Sequence, residues 1–154
     1  MLLSANAVSS EFDELTEEQM GQITPGLRYY LGLSTGPKVA DFNQALDTFH
    51  AMAETVAEVL DDADLLLTPT VAGHFPESGE KGVVNGHHTD AWIRHTYPYN
   101  LTRLPAGSVR AGFASDGMPV GLQIVGSQLS DVRVLQAMSH CEQLFAPPMW
   151  PSAA

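Results

Sequence analysis

The side chains that could act as nucleophiles or bases are few in this chain. Ser108, Ser115, Ser127 and Ser130 are candidate nucleophiles, and His87, His88 and His95 are candidate bases. A serine hydrolase needs nucleophile, base and oxyanion donors within hydrogen-bond reach of one another. No G-x-S-x-G elbow frames any of these serines. Lys38 and Lys81 are the only lysines, and a solvated role is expected for both. Cys141 is the single cysteine. On a helix its neighbour His140 projects about 100° away, so a small buried or half-buried thiol is expected rather than a nucleophile. His87, His88, Asp90 and His95 form a metal-like cluster in sequence. Two helical turns separate His88 from His95, about 10 Å of rise, which is too far for one ion. Solvated or hydrogen-bonded histidines are the expectation, with no metal, no cofactor and no catalytic residue assigned. Thr68 and Thr70 leave the carboxyl end of an apolar run, where α/β sheets place their ligand crevice. They are candidates for a pocket wall, with backbone capping as the alternative.

The elements that must position these groups follow from periodicity. Thr16 and Gln19 frame a capping box for a first short helix, and a second follows from Leu27 until Gly32 and Gly36 break it. From 38 to 60, Val39, Phe42, Leu46, Phe49, Ala53, Val56 and Leu60 recur at alternating steps of three and four. That spacing predicts one long amphipathic helix packed on the chain's own core. Leu65-Leu66-Leu67 runs without alternation into Thr68-Pro69-Thr70, which reads as a short strand covered on both faces. Residues 71–87 are rich in glycine and predict a surface loop. Thr89 is expected to cap a helix bearing Trp92, Ile93 and Tyr97 that Pro98 ends, with His88, Trp92 and His95 on one side. The runs 108–113 and 120–125 flank Asp116-Gly117-Met118-Pro119 and predict two strands joined by a tight turn. A last helix capped by Ser130 should pack on the sheet through Val132, Leu135, Ala137, Met138 and Leu144. The tail 146–154 holds three prolines and should be irregular.

At 154 residues, a single domain with one core is expected. Eighteen acidic against seven basic side chains give a formal charge of -11. That balance opposes phosphate backbones, so no nucleic-acid partner is expected. The start carries no basic stretch ahead of an apolar run, and no run approaches the roughly 20 apolar residues of a membrane helix. With one unpaired cysteine, a soluble cytoplasmic protein with no membrane partner is expected.

Several blocks, in order and spacing, carry a resemblance. They are Asp64-Leu65-Leu66-Leu67-Thr68-Pro69-Thr70, then Asn100-Leu101-Thr102-Arg103-Leu104-Pro105-Ala106, then Ala111-Gly112-Phe113. The last is Asp116-Gly117-Met118-Pro119-Val120-Gly121-Leu122-Gln123-Ile124-Val125-Gly126. Over about residues 25–145 the chain resembles the C-terminal part of the amidase signature family, serine hydrolases that cut or transfer amide groups. The resemblance implies an α/β fold, a mixed sheet flanked by helices. It also implies that this region completes the sheet and the substrate pocket, with Asp116 and Gln123 nearest a ligand. For Asp116, stabilising a D-G turn is the equal alternative.

Departures from the family pattern stand at three positions. The family usually has Gly at Arg103, Pro at Arg110 and a bulkier apolar residue at Gly107, so two charges and a flexible residue lie near the pocket strand. The family's serine, cis-serine and lysine machinery sits in earlier parts of a longer chain, and its GGSSGGS segment is not found here. The expected function is therefore that of the C-terminal segment of an amidase, inactive alone and binding an amide substrate only together with those parts. The alternative is a freestanding binding or assembly module derived from an amidase, whose open strand edges and apolar helix face favour a homodimer.

Overall fold

Thr16 opens the first helix as its sequence implies. In the computed structural model, which describes residues 12, 15–32, 38–74, 76–77 and 80–145, its hydroxyl accepts from the Gln19 N–H. The Gln19 side chain answers at the Thr16 N–H, 2.9 Å away. This capping box starts α1 (Glu17–Gln22), and Pro25 begins α2 (Pro25–Gly32), where its missing N–H costs nothing. The Arg28 guanidinium donates to the Met20 carbonyl at 2.8 Å and ties the two helices together. Gly36 and the tail 146–154 lie outside the described residues.

The long periodic run forms α3 (Val39–Asp61), one residue off the expected bounds at each end. Its packing differs from expectation, since no residue of α3 is buried. Val39 and Phe42 are exposed, and Leu46, Phe49, Ala53, Val56 and Leu60 are half-buried. A stripe of the right period fixes where a helix is apolar, not which surface covers it. The chain divides into two compact units, Met1–Ala51 and Met52–Ala154.

In the second unit, β1 (Leu66–Pro69), β4 (Ala106–Phe113) and β5 (Pro119–Val125) make a three-stranded sheet in the order β1-β5-β4. Both pairings are antiparallel. β1 is therefore an edge strand rather than an interior one. Its burial alternates, and Leu67 stays 56% exposed, so the unbroken apolar run did not mean cover on both faces. Pro69 is tolerated at this edge because it has no N–H to leave unpaired.

The stretch 71–87, expected as loop, holds a small hairpin of β2 (Val83–Val84) and β3 (His87–His88). Asn85 and Gly86 both take positive φ, 51° and 79°, the turn that an Asn-Gly pair favours between strands. Two hydrogen bonds of 3.0 Å between the His74 and Val83 backbones extend it. Thr89 caps as expected, accepting from the Ala91 N–H, but what it caps is a short 3-10 helix, Asp90–Ile93. Pro98 does not end a helix. It lies in the first turn of α4 (Tyr97–Thr102), the position proline prefers. Because His88 is in β3 and His95 follows the 3-10 helix, the shared face expected for His88, Trp92 and His95 does not form.

The helix α5 (Asp131–Leu144) covers one sheet face. Ser130 stands at its N-cap position without capping it, and its hydroxyl donates instead to the Ser127 carbonyl at 2.6 Å. Val109, Ile124 and Val134 form the core, with Leu65, Leu122, Ala137, Met138 and Cys141 packed on it. The buried side of α5 thus runs through Val134, Ala137, Met138 and Cys141. Val132, Leu135 and Leu144, expected there, are exposed. Both sets have helical spacing, and the sheet selects the first by shape. A Cβ at Gly107 would overlap the Met138 thioether, so the methionine fills the place of the missing side chain.

α4 ends in Arg103, whose φ of 55° is left-handed, a conformation glycine takes without the Cβ clash. Arg103→Gly is expected to raise unfolding stability by about 1 kcal/mol, measured by urea denaturation. A loss of stability would show that the arginine side chain is itself needed there.

Candidate functional site

The sheet face away from α5 is organised by register. Thr68 pairs with Gln123 and Gln123 with Ser108, so these three side chains stand in one row. In the next row Gly121 pairs with Arg110 and receives the Thr70 N–H at its carbonyl, 3.0 Å away. Pleating sends the intervening Leu122 and Ile124 to the α5 face. A Cβ on Gly121 would stand 2.5 Å from the Thr70 hydroxyl and 2.9 Å from that of Ser108. Glycine there allows the two hydroxyls to meet across β5 at 2.6 Å.

Gln123 is the buried member of the set, at 5% exposure. Its Nε2 donates to the Thr68 hydroxyl at 3.0 Å and to the His95 carbonyl at 3.1 Å. Both amide hydrogens are thereby spent, as burial demands. The carboxamide joins β1 to the segment between the 3-10 helix and α4. The His95 ring reinforces that joint, its Nδ1 lying 3.2 Å from the Pro69 carbonyl. His88 Nδ1 lies 3.4 Å from the Lys81 carbonyl. Both contacts agree with hydrogen-bonded histidines, and among the described residues no group of three metal-ligating side chains converges.

A cavity of about 380 Å³ meets these rows at Gly121 alone and is otherwise lined in part by Pro69, Val71, His74, His95 and Val120. Met118 and Pro119, from the β4–β5 turn, complete its rim. Asp116 lies in that turn, and its carboxylate accepts from the Met118 N–H at 3.1 Å. The same carboxylate faces His74 Nδ1 at 3.6 Å. Both side chains are well exposed, so the pair is worth little in stability. Gly117 supplies the positive φ, 84°, that the turn needs. Larger clefts of about 540 and 450 Å³ are lined by residues such as Tyr99, Leu104 and Leu129 or Ala53, Leu60 and Thr102. Neither includes a residue of the polar rows.

Three of the four residues singled out in the sequence therefore come together: Thr68 and Gln123 in direct contact, and Thr70 one row away. Asp116 stands apart, in the turn whose Met118 and Pro119 form the rim. Ser108, considered only as a nucleophile, belongs to the polar face, and so does Arg110. Alternation with Val109, which faces the core, was the available signal for both. Arg110 follows Ser108 in β4 at a bulge between Arg110 and Gly112, and its guanidinium carbon lies 4.5 Å from the centre of the Phe113 ring. Its Nη2 is buried and meets no acceptor among the described residues.

This fold is that of solved amidases. An amidase crystal structure superposes over 93% of the chain with a TM-score of 0.80, at 24% identity and over 34% of its own length. The chain belongs to the Amidase family, whose model matches residues 7–135, a span that begins before the expected 25. It is 33% identical to the acylamidase of Rhodococcus erythropolis over 142 residues, 87% of this chain and 29% of that one. It is 34% identical over 116 residues to a glutamyl-tRNA(Gln) amidotransferase subunit of Prochlorococcus marinus, 72% of this chain and 23% of that one. The chain thus spans about a quarter of the length of the curated relatives it matches. No helix among the described residues is long and apolar enough to cross a membrane.

The row bond gives a direct test. Thr68→Val keeps the shape but removes the acceptor of a buried amide donor, and a loss of about 1–3 kcal/mol is expected in urea denaturation. Thr68→Ser should retain most of that stability. Equal stability of the valine variant and the parent would show that Gln123 does not depend on this bond.

Proposed function

We propose that this chain forms the sheet segment and one pocket wall of an amidase, an enzyme hydrolysing amide C–N bonds, and that Thr70 and Ser108 present its amide-recognising hydroxyls. One observation carries the reading: in a chain of the Amidase family, the face left uncovered by α5 bears a register-matched row of hydroxyl and carboxamide groups beside a cavity. The bond between Thr70 and Ser108 uses one of their two O–H donors. The other donor is then available to a substrate carbonyl, and the remaining lone pairs to an amide N–H. Gln123 has no spare donor, so its role is to hold Thr68 and β1 in place. Asp116 acts at one remove as well, keeping the turn that carries Met118 and Pro119 closed over the rim. In this reading the wall orients an amide and excludes water, while the nucleophile and base come from the family's serine and lysine machinery. The half-buried, unpaired Cys141 suits a reducing compartment, and we place the protein's work in the cytoplasm.

The test is to replace the matching segment of the Rhodococcus erythropolis acylamidase with residues 52–145 of this chain and to assay hydrolysis of a simple aryl amide. Activity is expected in the chimera and none in the isolated chain. Thr70→Val in the chimera should lower kcat/KM about tenfold. Hydrolysis by the isolated chain that Ser108→Ala abolishes would overturn the wall reading. A folded but inactive chimera, with a dimer of the isolated chain in sedimentation, would favour the assembly-module reading, which draws on the exposed Val39 and Phe42 of α3.

A further inference from the structure

Arg110 has no role in the wall described above, yet it brings a cation to that face. Its register partner, Gly121, lines the cavity, and Ser108 precedes it by one pleat on the same side. The guanidinium lies against the Phe113 ring, 4.5 Å from centroid to Cζ. Stacking of this kind fixes the plane of the group and leaves its edge donors free of the ring. One of those donors, Nη2, is shut off from solvent without an acceptor among the described residues. The ion pairs described in the chain are Lys81 with Asp90 and Arg133 with Asp64, His74 lies 3.6 Å from Asp116, and none of these contacts involves Arg110. A fixed, partly desolvated guanidinium on the same sheet face as the two hydroxyls is suited to a planar, bidentate anion.

We infer that Arg110 is a specificity residue that selects amides bearing a carboxylate, its guanidinium edge gripping the carboxylate while Thr70 and Ser108 receive the amide. This rests on the wall reading and adds a charge preference to it. A single carboxylate is favoured over phosphate groups because the chain's formal charge of -11 repels multiply charged anions. Arg110 is a binding residue in this assignment and takes no part in bond cleavage.

The probe pair is succinamate and its uncharged analogue succinamide, titrated into the 154-residue chain while the Arg110 Nε–H and the backbone amides of Ser108, Gly121 and Gln123 are followed by NMR. Succinamate is expected to shift all four saturably and to bind at least about tenfold more tightly than succinamide. Arg110→Gln should erase that preference, and Arg110→Lys should restore part of it. A thermal melt of each variant checks the fold, and the ratio between the two probes is a readout that loss of the Phe113 stack alone would not move. Equal affinity for both probes, no saturable shift at Arg110, or stronger binding of inorganic phosphate than of succinamate would each overturn the assignment. Shifts at Ser108 and Gly121 with succinamide but no carboxylate preference would overturn the role of Arg110 and leave the wall standing. Failure of both probes to move Ser108, Gly121 or Gln123 would count against both.

Discussion

A buried carboxamide must find partners for its donors, and the second unit is arranged around how Gln123 does so. Leaving such a group unsatisfied costs about 1–3 kcal/mol, a large part of the stability of a small domain. Gln123 escapes that cost by bonding the Thr68 hydroxyl and the His95 carbonyl. These two bonds fix β1 against β5 and draw the segment leading into α4 over the end of the sheet. The cavity beside Gly121 exists because those pieces are held where they are.

The two faces of the sheet solve opposite problems with the same strands. On one face, Val109 and Ile124 pack on Val134 of α5, and the Gly107 gap is filled by Met138. On the other, glycine at 121 leaves space that is crossed by a hydroxyl pair rather than filled by carbon. Alternation along β4 and β5 keeps the faces separate, so that a core and a polar wall lie only one sheet apart. The bulge at Arg110 and Gly112 breaks the pairing where the guanidinium meets Phe113, and bulges commonly re-aim a side chain in this way.

Much of this was legible in the residues. The capping box at Thr16, the bounds of α3 to within one residue and both strands of the main hairpin follow from local patterns that tertiary structure did not override. The turn residues Asp116 and Gly117 were readable for the same reason, since positive φ and an Asx bond are local requirements. What could not be read were choices made at a distance. Leu65-Leu66-Leu67 looks the same whether the strand is central or at an edge, and α5 offered two apolar stripes of which the sheet selects one. The Asn85-Gly86 hairpin was readable but was obscured by the glycines at 73, 79 and 82 that precede it. Arg110 could be noted as unusual, yet its buried, unpartnered Nη2 is a property of packing alone.

The claim that the sheet face opposite α5 is a substrate wall is tested most directly by a crystallographic soak of the chain with benzamide. The expected result is density in the cavity of about 380 Å³, with the carboxamide within hydrogen-bond distance of the Thr70 or Ser108 hydroxyl. Benzamide bound only in the cleft lined by Tyr99, Leu104 and Leu129, with the Thr70 and Ser108 hydroxyls untouched, would contradict it.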